Sequence, residues 1–355
     1  MPIQFDETVI RDFIHDFNDN KFDEHKSFLY NPLLLSIMIM TYSQAKNIPN
    51  ELNLFFDQAY HALYQKHAID NKNFVHHLYS ELEYNDFKNV LSAFCFFSYR
   101  EQNFEFTYDE LENYSAKSLK IRKGQGKGTT ELIKDLTESV CLIIKNGIYY
   151  SFTHRSFQEY FAAHYVKSIG NDIKQIKYLE KLKHRMSSDI FFNLLYEMEP
   201  NKFEFIFIKK QIELIREKLN PQIHPLGLAF FVSCFNSFTI NKRTKLTYYT
   251  KDEFGYELFK FCLKLYSGIG NRYYLGSKKD NIIDRGQLIE LFHSTGSKEG
   301  DILYMEDLLK NVEHRPIIEN VYAVVIEKMD TFMKLPEFID DEIDDLDNEE
   351  DEIII

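Results

Sequence analysis

The sequence contains no tryptophan, and only 13 glycines and 8 prolines among its 355 residues. Because these residues are sparse, the composition argues against collagen-like chains, linker arrays and turn-rich all-β folds. The four cysteines form no C-x-x-C pair, which argues against a disulfide framework or a zinc knuckle and favours a reducing compartment. They are Cys95, Cys141, Cys234 and Cys262.

Common catalytic motifs are also missing. The sequence has neither the H-E-x-x-H zinc motif nor the G-x-S-x-G nucleophile motif. Segment 124–129 resembles a phosphate-binding loop, but Gly128 replaces the Ser or Thr that follows the lysine, and Ile121 replaces the first glycine. No hydrophobic strand precedes this segment, and no hydrophobic strand of the chain ends in a metal-holding acidic pair. We therefore expect that this chain alone is not an enzyme.

The negative charge is concentrated near the end of the sequence. The formal net charge is −13, and residues 337–352 contain eleven acidic residues and no basic one, so the other residues sum to −2. A nearly neutral body provides no global basic field for nucleic acid. Residues 337–355 are predicted to be an acidic tail that is disordered or docks a partner.

Nothing in the sequence suggests a membrane segment. Residues 1–6 lack the basic and apolar regions of a signal peptide. The most apolar run, 28–40, is shorter than the ~20 residues of a membrane-spanning helix and contains Asn31 and Pro32. We expect a soluble, cytoplasmic protein without a membrane partner.

Apolar spacing in the first 84 residues predicts a helical domain. Apolar residues three and four apart predict helices over 6–17, 33–42 and 52–68. Asn31 is the expected N-cap of the second helix, and Pro32 fits its first turn because no N–H is needed there.

Residues 85–170 are predicted to form a winged-helix domain. Helices are expected over 86–99, from a capping box at Thr107 and Glu110, and over 131–139. Asn146-Gly147 predicts a type I′ hairpin between strands 141–144 and 148–152. Three helices followed by a hairpin is the winged-helix order.

The rest of the chain reads as helix. A second capping box, Ser156 with Glu159, is expected to begin an aromatic helix that continues to Val166. Residues 171–336 are predicted to be a C-terminal α-helical domain, so the fold class is mainly α. Its expected segments are 203–218, 225–236, 252–267, 285–293, 301–312 and 316–334.

His154 and Arg155 stand at the start of the aromatic helix. Unpaired N–H groups and the helix dipole at such a position favour an anion. These residues alone leave two interpretations open: His154 contacts a phosphate, or it is an ordinary exposed or capping histidine.

Two segments resemble a known family. Residues 152–163, Phe-Thr-His-Arg-Ser-Phe-Gln-Glu-Tyr-Phe-Ala-Ala, resemble the F-x-H-x-[ST]-F-Q-E-[FY]-[FL]-A-A signature that ends the winged-helix domain of NACHT-type STAND NTPases. This class includes animal NOD-like receptors and bacterial antiphage NACHT proteins. Residues 31–35, Asn-Pro-Leu-Leu-Leu, followed by Ile48-Pro49, resemble the helix after the nucleotide-binding core. The two matches span about residues 5–167.

The resemblance implies specific nucleotide contacts. His154 would contact the β-phosphate of ADP, and Pro32 would lie beside the adenine. Arg155 is a candidate phosphate contact, although capping and packing explain it and residues 156–159 better. ADP or ATP would bind only together with the family's NACHT core, which carries Walker A and Walker B. The resemblance places that core before residue 1, either in the same polypeptide or in a separate chain.

The family's mechanism gives the leading functional expectation. The chain would be the regulatory and sensor part of a NACHT-type protein, with 1–84 as the helical lid, 85–170 as the switch and 171–336 as the sensor. Bound ADP would hold an inactive state. A trigger, such as a phage component, would allow ATP to bind and would drive homo-oligomerisation in antiphage innate immunity.

Two alternatives stay open at this stage. One is a winged-helix regulator that binds nucleic acid through a short basic patch, although the candidate recognition helix, 131–136, has mixed charge. The other is a helical scaffold that binds no nucleotide, in which His154 only packs at a hinge. The basic patch consists of Lys117, Lys120, Arg122, Lys123 and Lys127.

Overall fold

The structure is a computed structural model of the 355-residue chain. It describes residues 7–16, 30, 32–45, 47–49, 51–69, 78–122, 128–240, 246–249, 252–266, 275, 291–298 and 300–342. Within these ranges the fold is mainly helical, as the sequence predicts. No helix of the described ranges is both long and apolar enough to cross a membrane.

The chain divides into two compact units. The first comprises Met1–Leu182 and Ser188–Pro200, and the second comprises Lys183–Ser187 and Asn201–Ile355. The domain boundaries predicted at residues 84, 170 and 336 stay predictions.

The first unit is built around two central helices, α4 and α7, which pack against each other. Helix α4 is buried from Val90 to Tyr99, where nearly every side chain is apolar or small. The helices of this unit are α1 (Glu7–Asp16), α2 (Pro32–Ala45), α3 (Leu52–Ile69), α4 (Tyr84–Arg100), α5 (Tyr108–Ile121), α6 (Thr129–Lys134), α7 (Arg155–Lys167), α8 (Asp172–Leu182) and α9 (Phe191–Met198).

A small antiparallel sheet lies within this unit. Its strands are β1 (Glu105–Phe106), β2 (Ile143–Asn146) and β3 (Tyr149–Phe152), in the order β1-β3-β2. Strand β1 was not predicted, since two residues are too few to show an alternating pattern. From 84 to 152 the order of elements is helix, strand, helix, helix, strand, strand.

The predicted hairpin exists, but its turn differs from the expected type. Asn146 pairs with Tyr149, so the two loop residues are Gly147 and Ile148. Gly147 has φ +63°, and neither Asn146 nor Ile148 has positive φ. One positive φ at the first loop position matches type II′, so the type I′ prediction was wrong. The pairing of Asn146 with Tyr149 places the turn one residue later than the sequence predicted.

Of two further predictions for this region, one is confirmed and the other was wrong in part. The capping box at Thr107 and Glu110 is confirmed, because each side chain bonds the other residue's backbone N–H at the start of α5. The single helix predicted over 131–139 instead ends at Lys134 and continues as a π-helical turn, Asp135–Ser139.

The second unit also contains more than helices. Its helical elements are α10 (Pro200–Phe203), a π-helical stretch (Glu204–Lys209), α11 (Lys210–Arg216), α12 (Leu226–Cys234), α13 (Glu253–Leu265), α14 (Met305–Lys310), α15 (His314–Val321), α16 (Ala323–Met333) and α17 (335–342). Residues 285–290 of the predicted helix 285–293 lie outside the described residues.

A three-stranded antiparallel sheet in this unit corrects the all-helical prediction for 171–336. Its strands are β4 (Ser237–Ile240), β5 (Leu246–Tyr249) and β6 (Leu303–Tyr304), in the order β5-β4-β6. These strands have at most four residues, and β6 joins from more than fifty residues away. Neither feature leaves a periodic pattern in the sequence.

The predicted disorder of the acidic tail was wrong for its first residues. Helix α17 includes residues 337–342, and its Ile339 is buried in the second unit. Arg216 forms a two-pronged ion pair with Glu337, at 2.7 and 2.6 Å, and Lys209 pairs with Asp340. Paired acids do not oppose helix formation, so the acidic count alone was misleading. Residues 343–355 lie outside the described residues.

Candidate functional site

Strand β3 and the loop after it place His154 at the start of α7. Phe152 ends the strand in the core, and the next residue, Thr153, is fixed by a 2.9 Å bond from its N–H to the Leu142 carbonyl. His154 follows with an extended backbone, φ −148° and ψ 133°, and is the N-cap of α7. Its Nδ1 accepts the Ser156 N–H at 3.2 Å.

This geometry corrects the second predicted capping box. The helix begins at Arg155, so Ser156 lies inside its first turn and is not the N-cap. Glu159, the expected partner of Ser156, instead pairs with Arg155 and accepts the Ile190 N–H at 3.3 Å. The histidine takes the cap because its ring nitrogen reaches the same N–H that a serine oxygen would accept.

His154 is set up as a neutral hydrogen-bond donor. Burial lowers the pKa of His154, because removing the ring from water disfavours its charged form. Because Nδ1 accepts a hydrogen bond, it carries no proton, and the proton of the neutral ring is assigned to Nε2. Among the described residues, Nε2 has no hydrogen-bond partner. The ring can therefore donate one hydrogen bond to a nearby anion.

Arg155 is held by groups of the first unit. Its Nε lies 2.8 Å from Glu159, its Nη2 lies 3.4 Å from Asp189, and its Cζ stacks 4.1 Å from the centroid of the Phe104 ring. Both carboxylates are nearly inaccessible to water. The arginine thus fastens α7 to the segment before α9, which fits the packing interpretation of this residue.

Asp189 is the residue that sequence reasoning missed. Its carboxylate accepts the Tyr99 hydroxyl at 3.0 and 3.1 Å and the Phe191 N–H at 3.1 Å, besides facing Arg155. Asp189 lies 34 residues beyond Arg155 and belongs to no motif, so no local signal could have pointed to it.

The rest of the signature is buried on the inner side of α7. The Gln158 amide donates to Ser98 Oγ at 2.8 Å and to the Asn103 carbonyl at 2.9 Å. Phe157 meets the ring of Phe56 on α3 edge to face, with centroids 5.3 Å apart. These residues fix the direction of α7, and with it the position of His154.

Pro32, the predicted adenine contact, is the exposed first residue of α2. Asn31, its predicted N-cap, lies outside the described residues. Helix α2 packs chiefly on α1 and α3, and α3 also packs on α7. Pro32 and His154 thus lie at the starts of two helices that both pack on α3, and no hydrogen bond or ring contact of the described residues joins the two.

The remaining predicted features lie near the end of α5 or outside the description. Lys117 and Lys120 are exposed on α5, and Arg122 is its C-cap. Lys123 and Lys127, like most of the glycine-rich segment, lie outside the described residues. Within the described ranges, no group of three or more metal-ligating side chains could hold a metal ion.

Comparison with protein-family models, curated proteins and solved structures found no match. The resemblance to NACHT-type proteins therefore depends on the two quoted motifs alone.

Proposed function

We propose that this chain is the regulatory and sensor part of a NACHT-type STAND protein, acting in antiphage defence. The observation that carries the proposal is His154: it caps α7, is half-buried and neutral, and has a ring N–H for which no described group is an acceptor. The cap uses only Nδ1, so the single N–H donor of the neutral ring, on Nε2, is available to a ligand. The signature around it supplies the family assignment.

We also propose which domains the chain contains. We assign residues 85–170 to a winged-helix domain, since helix, strand, helix, helix and a two-stranded wing follow in that order from Tyr84 to Phe152. Residues 1–84 would be the helical lid, and residues 171–336 would carry the sensor.

The residues at the start of α7 fit a bound nucleoside diphosphate. His154 Nε2–H would donate to a phosphate oxygen, and the positive end of the α7 dipole would favour the same anion. Pro32 would lie beside the base. Arg155 would act indirectly, by holding α7 through Glu159 and Asp189. The Walker A and Walker B groups would come from a core in the same polypeptide or from a partner subunit.

A change at the phosphate can reach the helical lid through packed aromatic rings. Tyr160 of α7 stacks on Phe56 of α3, with centroids 5.2 Å apart, and Phe161 meets Tyr60 edge to face at 5.4 Å. Because packed interfaces shift between discrete arrangements, a ligand that favours one arrangement of α7 also favours one arrangement of α3. This is the switch we propose.

The test is nucleotide retention by the native assembly. The tagged protein would be purified from its own cells with whatever chain it binds, and acid-released nucleotide would be quantified by chromatography. Asn also caps helices well, so His154→Asn removes the Nε2 donor while keeping a capping side chain. We expect the wild type to retain ADP and His154→Asn to lose it roughly tenfold faster, since a hydrogen bond to a charged group is worth about 1.5–3 kcal/mol.

His293→Ala is the matched control, because His293 is exposed and lies in the second unit. Equal ADP retention in wild type and His154→Asn would contradict the proposed contact. An immunoblot of the source cells decides where the core resides: a band near 42 kDa indicates a separate core subunit, and a much heavier band indicates one polypeptide.

A further inference from the structure

A row of cations on the first unit stands over buried aromatic rings. Lys117 Nζ lies 4.3 Å from the centroid of Phe97, and Arg100 Cζ lies 5.8 Å from the same centroid. Arg122 Cζ lies 4.6 Å from the centroid of Tyr165, and Tyr165 is 5.7 Å from Phe97. We call Arg100, Lys117 and Arg122 the cationic row; its members lie on α4 and α5.

Arg122 has no counter-charge among the described residues. Its Nη2 donates to Ser168 Oγ at 2.5 Å, its Nε is buried without an acceptor, and none of the described carboxylates lies within 4 Å. Four other arginines of the described ranges each form an ion pair with a carboxylate. They are Arg100, Arg155, Arg216 and Arg315.

The negative ends of helix dipoles offset only part of the positive charge of the cationic row. Arg122 and Ser168 are the C-caps of α5 and α7, and Arg100 ends α4. Three helix C-termini contribute about −1.5 charges in all. Exposed Lys120 and Lys167, in the last turns of α5 and α7, raise the cations to five, and Glu101 is the acid that pairs with Arg100 and Lys117. Summed over these groups alone, the surplus is about +2.5.

We infer that this surface, the cationic row with Lys120 and Lys167, binds the phosphate backbone of a nucleic acid. A planar guanidinium presents its donors in a fork that matches phosphate oxygens, and flanking lysines add point charges. The rings beneath the row are buried, so bases cannot stack on them. Recognition would consequently be by charge and independent of sequence. This inference does not depend on the proposed nucleotide contact at His154.

The test measures the binding of labelled DNA by fluorescence anisotropy, with single-stranded and duplex probes of about 20 nucleotides, at salt concentrations from about 50 to about 200 mM. We expect wild-type affinity to fall steeply with salt. The exposed pair Lys120→Gln/Lys167→Gln should weaken binding at least about tenfold and lower the log–log salt slope by ~1–2, with no change of sequence preference. Arg122→Gln should weaken binding further.

Lys310→Gln/Arg315→Gln removes the same charge from the second unit and is the matched control. Absence of wild-type binding at the lowest salt overturns the inference, as does an equal loss in the control. Binding of tripolyphosphate without binding of either DNA probe would overturn the nucleic-acid assignment as well. Unfolding curves of the lysine pair establish that it is folded, and ADP retention is measured separately, so failure of one proposal is distinguishable from failure of the other.

Discussion

Adjacent residues at the start of α7 have opposite electrostatic situations. Arg155 is charged, and two nearly inaccessible carboxylates, Glu159 and Asp189, face it. His154 is half-buried without a carboxylate, so the neutral ring is favoured. The charge of Arg155 is thereby balanced by carboxylates of the protein itself. His154 is neutral and keeps one ring N–H that can be donated to a ligand.

His164, on the same helix, predicts a dependence of stability on pH. Burial, followed by the charges of Lys88 and Lys167, lowers the pKa of His164 from 6.5 to about 4. Between these values the unfolded chain binds the proton and the folded chain does not, so stability falls as the pH drops through this window. We expect this residue to cost about 1 kcal/mol between about pH 7.5 and about pH 5.5.

The measurement is urea unfolding at several pH values in wild type and His164→Asn. The variant should show a flatter profile, because its side chain does not titrate. Parallel profiles would contradict the assigned role of His164. The lowered pKa of His154 acts in the same direction, so His154→Asn should also flatten the profile.

Asp135 carries a second prediction at this scale. Its carboxylate is fully buried and accepts the Tyr79 and Ser80 N–H groups at 2.8 and 2.9 Å and the Ser139 hydroxyl at 3.0 Å. Asp135→Ala leaves these donors without an acceptor, so we expect a loss of about 3 kcal/mol in the free energy of unfolding. Glu138→Gln, on the exposed side of the same π-helical turn, should change stability by less than about 0.5 kcal/mol. Similar losses in both variants would refute the role.

Individual roles were only partly predictable from the sequence. The position of His154 at a helix start was correct, because strand and helix periodicities change there. Its capping bond matches the capping interpretation that the sequence left open, although Ser156 was predicted to be the N-cap of this helix. Asp189 and Asp135 form contacts with residues 34 and more than 50 positions away, and no spacing rule encodes such contacts.

At the scale of elements, local signals worked where a turn or helix is decided by its own residues. The capping box of α5 is such a case. Signals failed where a partner segment decides the outcome. Strands β1 and β6 have two residues each and exist because β3 and β4 supply the hydrogen bonds. Helix α17 likewise depends on Arg216 and Lys209, which lie more than 100 residues earlier.

The hairpin turn offers a test at this scale. Gly147 has φ +63°, and a Cβ added there would meet nothing within 4 Å, so any cost of a side chain is conformational and not steric crowding. We expect Gly147→Ala to lower the free energy of unfolding by about 1 kcal/mol, and Gly147→Asn to lower it less, since Asn tolerates this region. Calorimetric melting of the variants measures both effects.

Gly170→Ala provides the control for that experiment. A Cβ at Gly170 also meets nothing within 4 Å, and Gly170 has no positive φ. Its substitution should leave the melting temperature nearly unchanged. Equal effects at the two glycines would mean that the positive φ of Gly147 carries no cost.

For the whole molecule, the aromatic residues explain how a chain with few special residues builds two cores. In the first unit, Phe96 stacks on Tyr165 of α7, with centroids 4.6 Å apart. In the second unit, Phe230 of α12, Phe259 of α13 and Phe332 of α16 form a cluster with centroids 5.3–6.2 Å apart. The sequence predicted the helices that carry these rings, but not the grouping into two units, because long-range contacts define that grouping.

Two cores imply that core substitutions act on one unit each. Phe161 is fully buried in the first unit, and Phe332 is fully buried in the second. Truncation of a buried phenylalanine to alanine costs about 3–5 kcal/mol, which for units of this size shifts a melting temperature by roughly 10 °C. Scanning calorimetry should therefore show two transitions, with Phe161→Ala lowering one and Phe332→Ala lowering the other. If both variants lower the same transition, or if a single transition responds to either, the two units unfold as one cooperative body.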